Sequence, residues 1–253
     1  MAKLPALVDA LTEVDGRDRA TIEHVARVIR EAGYIPTTKR GAGASEMTAR
    51  EAANLLLGLN GADAPKDAPL AIDRFRSLRF HIAETEHEEH QLAVFKAIDG
   101  CENLGVALEL LIEGMPEILI GAFAFIDAGH EKENLRALYK RELLGPGWSR
   151  PPIVLRVAMK RYYAEIELKT WVGSSVQDAR WRTEFKAEFV QDADRFMDGF
   201  YGKMNSDRSV TVEFTGRTLL KLWLTLHKDT ELGLDTSGLE KPAAMRASPL
   251  DGA

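Results

Sequence analysis

Apolar positions near the N-terminus recur at helical spacing. Leu4, Leu7, Val8 and Leu11 predict a short first helix that stops before Asp15-Gly16. Ile22, Val25, Ala26, Ile29 and Ala32 share one face of a second helix, and Gly33 is placed to cap its C-terminus. A third helix opens at Thr48. Its hydroxyl and Glu51, three residues on, form a capping box, and the helix runs through Ala52 to Leu57 towards a stop at Asn60-Gly61. The next stretch, Gly61 to Pro69, is small, polar and punctuated by proline, which reads as a linker with a domain boundary near residue 66. Ile72 to Phe80, Leu92 to Ile98 and Leu104 to Ile112 follow as predicted helices, whereas Ile118 to Ile126 fits a buried helix or a buried strand equally well.

After Pro151-Pro152 the period changes. Ile153 to Met159, Tyr163 to Trp171, Trp181 to Val190 and Ser209 to Phe214 are rich in β-branched and aromatic residues, and Trp181, Thr183, Phe185, Ala187 and Phe189 alternate with polar neighbours. This predicts an antiparallel sheet with one wet face, with a turn at Asn205 to Arg208. A last helix, Arg217 to His227, turns Leu219, Leu220, Trp223 and Leu224 inward. The fold class is therefore α+β. A small helical, winged-helix-like domain is expected over 1–62 and an α+β domain over 70–230, helical to 150, sheet over 151–216 and helix over 217–227. A flexible tail over 231–253 completes the chain.

Composition narrows this picture only a little. At 253 residues with 45% hydrophobic content the chain can bury a real core. The apolar run from Ile118 to Ile126 is about half of what a membrane span needs, and the first residues lack the apolar region of a signal peptide. A soluble, cytoplasmic protein that does not engage membranes is expected. The single Cys101 excludes an intramolecular disulfide and reads as a plain buried thiol. Charge is unevenly spread: Glu84 to Glu133 holds 12 acidic residues against two lysines, and Arg136 to Lys186 holds 11 basic residues against five acidic. Such a split suits an anion-binding surface, or two faces that attract each other within the fold.

Candidate chemistry concentrates in the loop between the second and third helices. Thr37, Thr38, Lys39, Arg40, Gly41 and Gly43, with Arg50 near the start of the third helix, combine hydroxyls, cations and close-approach glycines, the residue types that contact a phosphate backbone. The helix N-terminus at Thr48 would add its dipole. The connection is much longer than the turn of about three to four residues in a helix-turn-helix, so an elaborated variant is implied. Gly41 to Ser45 lacks the strand and the Gly-Lys-Ser/Thr ending of a nucleotide loop. Cations interleave with aromatic residues at Lys160, Arg161, Lys169, Arg180 and Arg182, a secondary surface that could stack single-stranded nucleic acid. Within His81 to His90, helical spacing would let Glu84 and His87, or Glu86 and His90, chelate an ion, although a solvated acidic helix face is the simpler reading. No nucleophile, base and orienter can be assembled from spacing, and no cofactor is called for.

Ile29 to Ile35, Lys39 to Thr48 and Ala52 to Leu56 resemble stretches of uncharacterised proteins encoded in phages and prophages of alphaproteobacteria, with a weaker echo at Ser209 to Leu222. The resemblance covers roughly the first quarter of the chain. It implies a phage-related setting and a regulatory or DNA-associated role, and it carries over no catalytic residue. The expected function is a non-enzymatic DNA-binding or regulatory protein using the N-terminal unit, with the larger domain mediating assembly or regulation through a protein partner or further copies of itself. The alternative is a protein-interaction factor in phage assembly or host takeover, and the third reading is a metal-dependent hydrolase.

Overall fold

Local chemistry sets the ends of the N-terminal helices. The computed structural model describes residues 2–37, 45–85, 92–122, 153–172, 180–192 and 210–228. Helix α1 spans Leu4–Val14 and ends before Gly16, whose positive φ of 84° suits only glycine without strain. Helix α2, Arg19–Glu31, starts at Asp18, which accepts the amide of Thr21, and ends at Gly33, with φ of 90°. Helix α3, Ala49–Gly61, carries the expected capping box between Thr48 and Glu51. After a 3-10 turn at Pro65–Asp67, helix α4 covers Ala68–Arg76 and strand β1 covers Arg79–Thr85. Helices α5 (Ala93–Ile98), α6 (Leu104–Glu113) and α7 (Met115–Ala122) follow. Strands β2 (Ile153–Lys160), β3 (Tyr163–Val172), β4 (Arg180–Val190) and β5 (Val212–Thr215) lead into helix α8, Gly216–Leu226.

The five strands form one antiparallel sheet in the order β1-β4-β3-β2-β5. Its inner face carries Leu155, Val157, Met159, Ala164, Ile166, Leu168, Phe185, Ala187, Phe189 and Phe214, all buried. Helices cover this face: Phe95 of α5 stacks on Phe185 with ring centroids 4.3 Å apart, and α8 packs against β2 and β5. The outer face is charged, as the predicted alternation requires.

Three sequence expectations change. The helix expected over Ile72 to Phe80 stops at Arg76, and Arg79–Thr85 is an edge strand whose alternation is hidden by a register shift between Phe80 and Ile82. The phase of β4 also shifts: Leu168 pairs with Phe185 and Lys169 with Thr183, so Glu184 is the extra residue of a bulge. Phe185, Ala187 and Phe189 face inward as expected, but Trp181 and Thr183 fall on the outer face, and Trp181 is 39% exposed. The ambiguous run resolves to a helix through Ala122, and residues 123–126 lie outside the described residues, as do the expected turn at 205–208 and the tail over 231–253.

Helix α3 is the centre of the helical layer. Ala49 and every residue from Ala52 to Asn60 are buried, and the helix packs against α2, α4, α6, α8 and β5. One buried cluster joins Leu7, Leu56, Phe75, Leu108, Phe185 and Trp223. The boundary expected near residue 66 therefore falls inside a shared core, with Ala68 fully buried. The close approach at Gly61 shows how tight this junction is: a Cβ there would lie 2.7 Å from Cδ2 of Phe75. Gly61→Ala should destabilise the protein by about 1 to 3 kcal/mol through overpacking against a buried ring. Chemical denaturation would measure it, and a neutral result would show that the helix end has room.

Candidate nucleic-acid interface

The basic loop begins and ends on anchored residues. On its N-terminal side, Gly33 lets the Tyr34 amide return to the carbonyl of Ile29 at 3.0 Å, and Ile35 is fully buried. The Tyr34 carbonyl accepts Nδ2 of Asn54 at 3.0 Å, and the Tyr34 hydroxyl bonds to Asp73. Burial, and then the Asp73 carboxylate, push the Tyr34 phenol up to about 12. On the C-terminal side the Met47 amide donates to the Ala2 carbonyl at 2.9 Å, and Met47 is buried. Thr37 and Arg50 are exposed, whereas Thr38, Lys39, Arg40, Gly41 and Gly43 lie outside the described residues.

The start of α3 is already satisfied. Thr48 Oγ1 accepts the Arg50 amide at 3.2 Å, and Glu51 Oε2 accepts the Thr48 amide at 2.8 Å. A carboxylate thus occupies the positive end of the helix dipole, so the contribution expected there towards a phosphate is cancelled. Helix α3 also cannot act as a recognition helix, because a helix laid in a groove must expose a long face and only the first turn of α3 offers one, at Arg50. At the start of α3 the exposed cation is Arg50.

The secondary cations do not form one surface. Lys160 and Arg161 sit at the β2–β3 turn, while Lys169, Arg180 and Arg182 belong to the opposite end of β3 and β4, about 20 to 30 Å away at strand spacing. Lys169 pairs with Glu167 at 2.7 Å and Arg182 with Glu184 at 2.7 Å. Arg156 is surrounded by Glu165, Glu167 and Glu213, and Lys186 by Glu165 and Glu188. Burial works against the Glu165 carboxylate, but the Tyr163 hydroxyl, Lys186 and Arg156 outweigh it and hold its pKa below the ordinary value. The basic segment Arg136 to Lys186 therefore finds much of its counter-charge within the sheet, among the described residues, rather than in the acidic stretch before it.

Glu84 lies on β1, in register with Lys186, so the helical chelate with His87 is lost on a strand. His87 and His90 lie outside the described residues, and among the described residues no group of three or more His, Cys, Asp or Glu is placed to hold a metal ion. Burial pushes the Cys101 thiol up to about 11, which leaves it a weak nucleophile near neutral pH. Among the described residues no helix is long and apolar enough to cross a membrane.

Sequence reasoning missed a polar bridge through the helical layer. Asn54, buried in α3, accepts Nε of Arg76 at 2.7 Å, and Arg76 reaches Glu109 of α6 at 2.7 Å. A single amide inside the run Ala52-Ala53-Asn54-Leu55-Leu56-Leu57 was the available signal, since a buried amide requires partners. No protein-family model matches the chain, and neither a curated protein nor a solved structure matches it.

Proposed function

We propose that the protein is a non-enzymatic DNA-binding protein of a phage-related regulatory setting, and that it contacts the phosphate backbone without reading base sequence. The observation that carries the reading is the burial of α3: the helix next to the basic segment has no face for a groove, and Arg50 alone projects from its first turn. The contacts proposed for this unit are those of the segment Thr37 to Gly43 and of Arg50, whose residue types suit phosphates rather than base edges.

Electrophoretic shifts on random and phage-derived duplexes at two salt concentrations test it. Both duplexes should bind with similar affinity, and binding should weaken as salt rises. Replacing Lys39 and Arg40 by Ala should reduce the slope of log affinity against log salt by about two, one for each lost phosphate contact. Unchanged affinity and slope in that variant would remove the loop from the interface, and strong preference for one duplex would contradict backbone-only contact.

A further inference from the structure

An aspartate or asparagine followed by glycine is a place where a chain can rearrange through its own backbone. The glycine nitrogen attacks the side-chain Cγ and closes a succinimide ring, and a residue without a Cβ leaves that nitrogen open to approach. The described residues hold three such pairs, Asp15-Gly16, Asn60-Gly61 and Asp99-Gly100, while Asp198-Gly199 and Asp251-Gly252 lie outside them. The fold treats the three differently.

Asn60 and Gly61 both belong to α3, and Asn60 is buried. Its Nδ2 donates to the Leu56 carbonyl at 3.0 Å and its Oδ1 accepts Nη2 of Arg17 at 3.1 Å. Rotation towards attack would break both bonds beside the Phe75 ring that packs on Gly61. Asp15 ends α1 with its amide on the Leu11 carbonyl at 2.8 Å, and its side chain, 9% exposed, pairs with Arg17 at 3.3 Å. Asp99 and Gly100 are exposed and carry no such restraint. They form the centre of a type II turn after α5, with φ −60° and ψ 111° at Asp99 and φ 79° at Gly100. The turn is closed by the Cys101 amide on the Ile98 carbonyl at 3.0 Å, and the peptide between Asp99 and Gly100 takes part in no backbone hydrogen bond. A Cβ placed on Gly100 would meet nothing within 4 Å. Attack requires this peptide to rotate about the Cα–C bond of Asp99, and no hydrogen bond of its own opposes the rotation.

We propose that Asp99 is a site of isoaspartate formation in the folded protein. The Gly100 nitrogen bonds to Cγ of Asp99, and the hydroxyl of the neutral carboxyl group leaves as water with the Gly100 amide proton. Water then opens the ring. Attack at the side-chain carbonyl restores aspartate, whereas attack at the main-chain carbonyl leaves the chain running through Cβ and Cγ with the α-carboxylate as its side group. One water is lost and one gained, and no other reactant is needed. The product inserts one carbon into a turn whose ends are fixed, by Phe95 stacked on Phe185 in α5 and by Asn103, which accepts the Val106 amide at 3.1 Å to cap α6.

Ageing the full chain at neutral pH tests this, with electron-transfer fragmentation of its peptides to separate isoaspartate from aspartate at each position. Isoaspartate at Asp99 should accumulate with time and exceed that at Asp15 and at Asn60 several-fold. Asp99→Asn should accelerate its formation, since ammonia leaves more readily than water, and Asp99→Glu should abolish it, because the longer side chain closes a less favourable ring. Ageing in denaturing urea separates structure from sequence: Asn60, released from α3, should then overtake Asp99. Absence of isoaspartate at Asp99, or as much at Asp15 or Asn60 in the folded chain, overturns the proposal, and so does the same order of sites in urea.

Discussion

A fragment ending at residue 62 is expected to remain largely unfolded in isolation. Its three helices have good caps, and α1 packs against α2 and α2 against α3, but these are the smaller part of the contacts that bury α3. Removing the rest of the chain takes away α4, α6 and α8 and exposes part of the row Leu55, Leu56, Leu57 and Leu59, all now buried. Exposing a buried leucine costs about 1.5 to 3 kcal/mol, and a core of this size supplies only about 3 to 5 kcal/mol in total, so losing the burial of even two or three leucines removes the stability. Helix α1 loses α8 as well. Far-UV circular dichroism and amide dispersion by NMR would read the outcome. A dispersed spectrum with cooperative melting would instead restore an independent N-terminal domain with its boundary near residue 66.

That contrast shows what the sequence made legible. Caps are local, so Thr48, Glu51, Gly33 and Gly16 announced the helix ends correctly from a few residues each. The strands from β2 to β4 were legible because a half-buried sheet imposes a period of two. Where a bulge inserts one residue, as at Glu184 or between Phe80 and Ile82, the period breaks and the reading fails with it. The burial of α3 on nearly every side was also written in its composition, Ala-Ala-Asn-Leu-Leu-Leu-Gly-Leu, since a helix apolar all round belongs in a core. The proline-punctuated Gly61 to Pro69 drew attention away from this, because turn residues signal a change of direction and carry no information about whether the next element packs back on the same core. The candidate site was less legible still. The bridge from Asn54 through Arg76 to Glu109 joins residues 22 and 33 positions apart in sequence, a relation no local pattern encodes.

The second large effect follows from the bulge. Phe185 is 1% exposed, stacks on Phe95 at an interplanar angle of 19°, and pairs in register with Leu168 on one side and Thr85 on the other. Phe185→Ala should cost about 3 to 5 kcal/mol, the transfer term of a lost ring plus the cavity left between sheet and α5. Trp181 lies four residues earlier on the same strand, and uninterrupted alternation would put it on the same face. The residue inserted at Glu184 turns it to the outer face instead, in register with Trp171. Trp181→Ala should therefore lose only a cross-strand contact, no more than about 1 kcal/mol. Urea denaturation of both variants separates the cases. Equal, large losses would mean that Trp181 shares the core with Phe185 and that β4 runs straight through Glu184; a large loss for Phe185→Ala alone would establish the bulge in solution, and with it the position of the buried Glu184 carboxylate against Thr170 and Arg182.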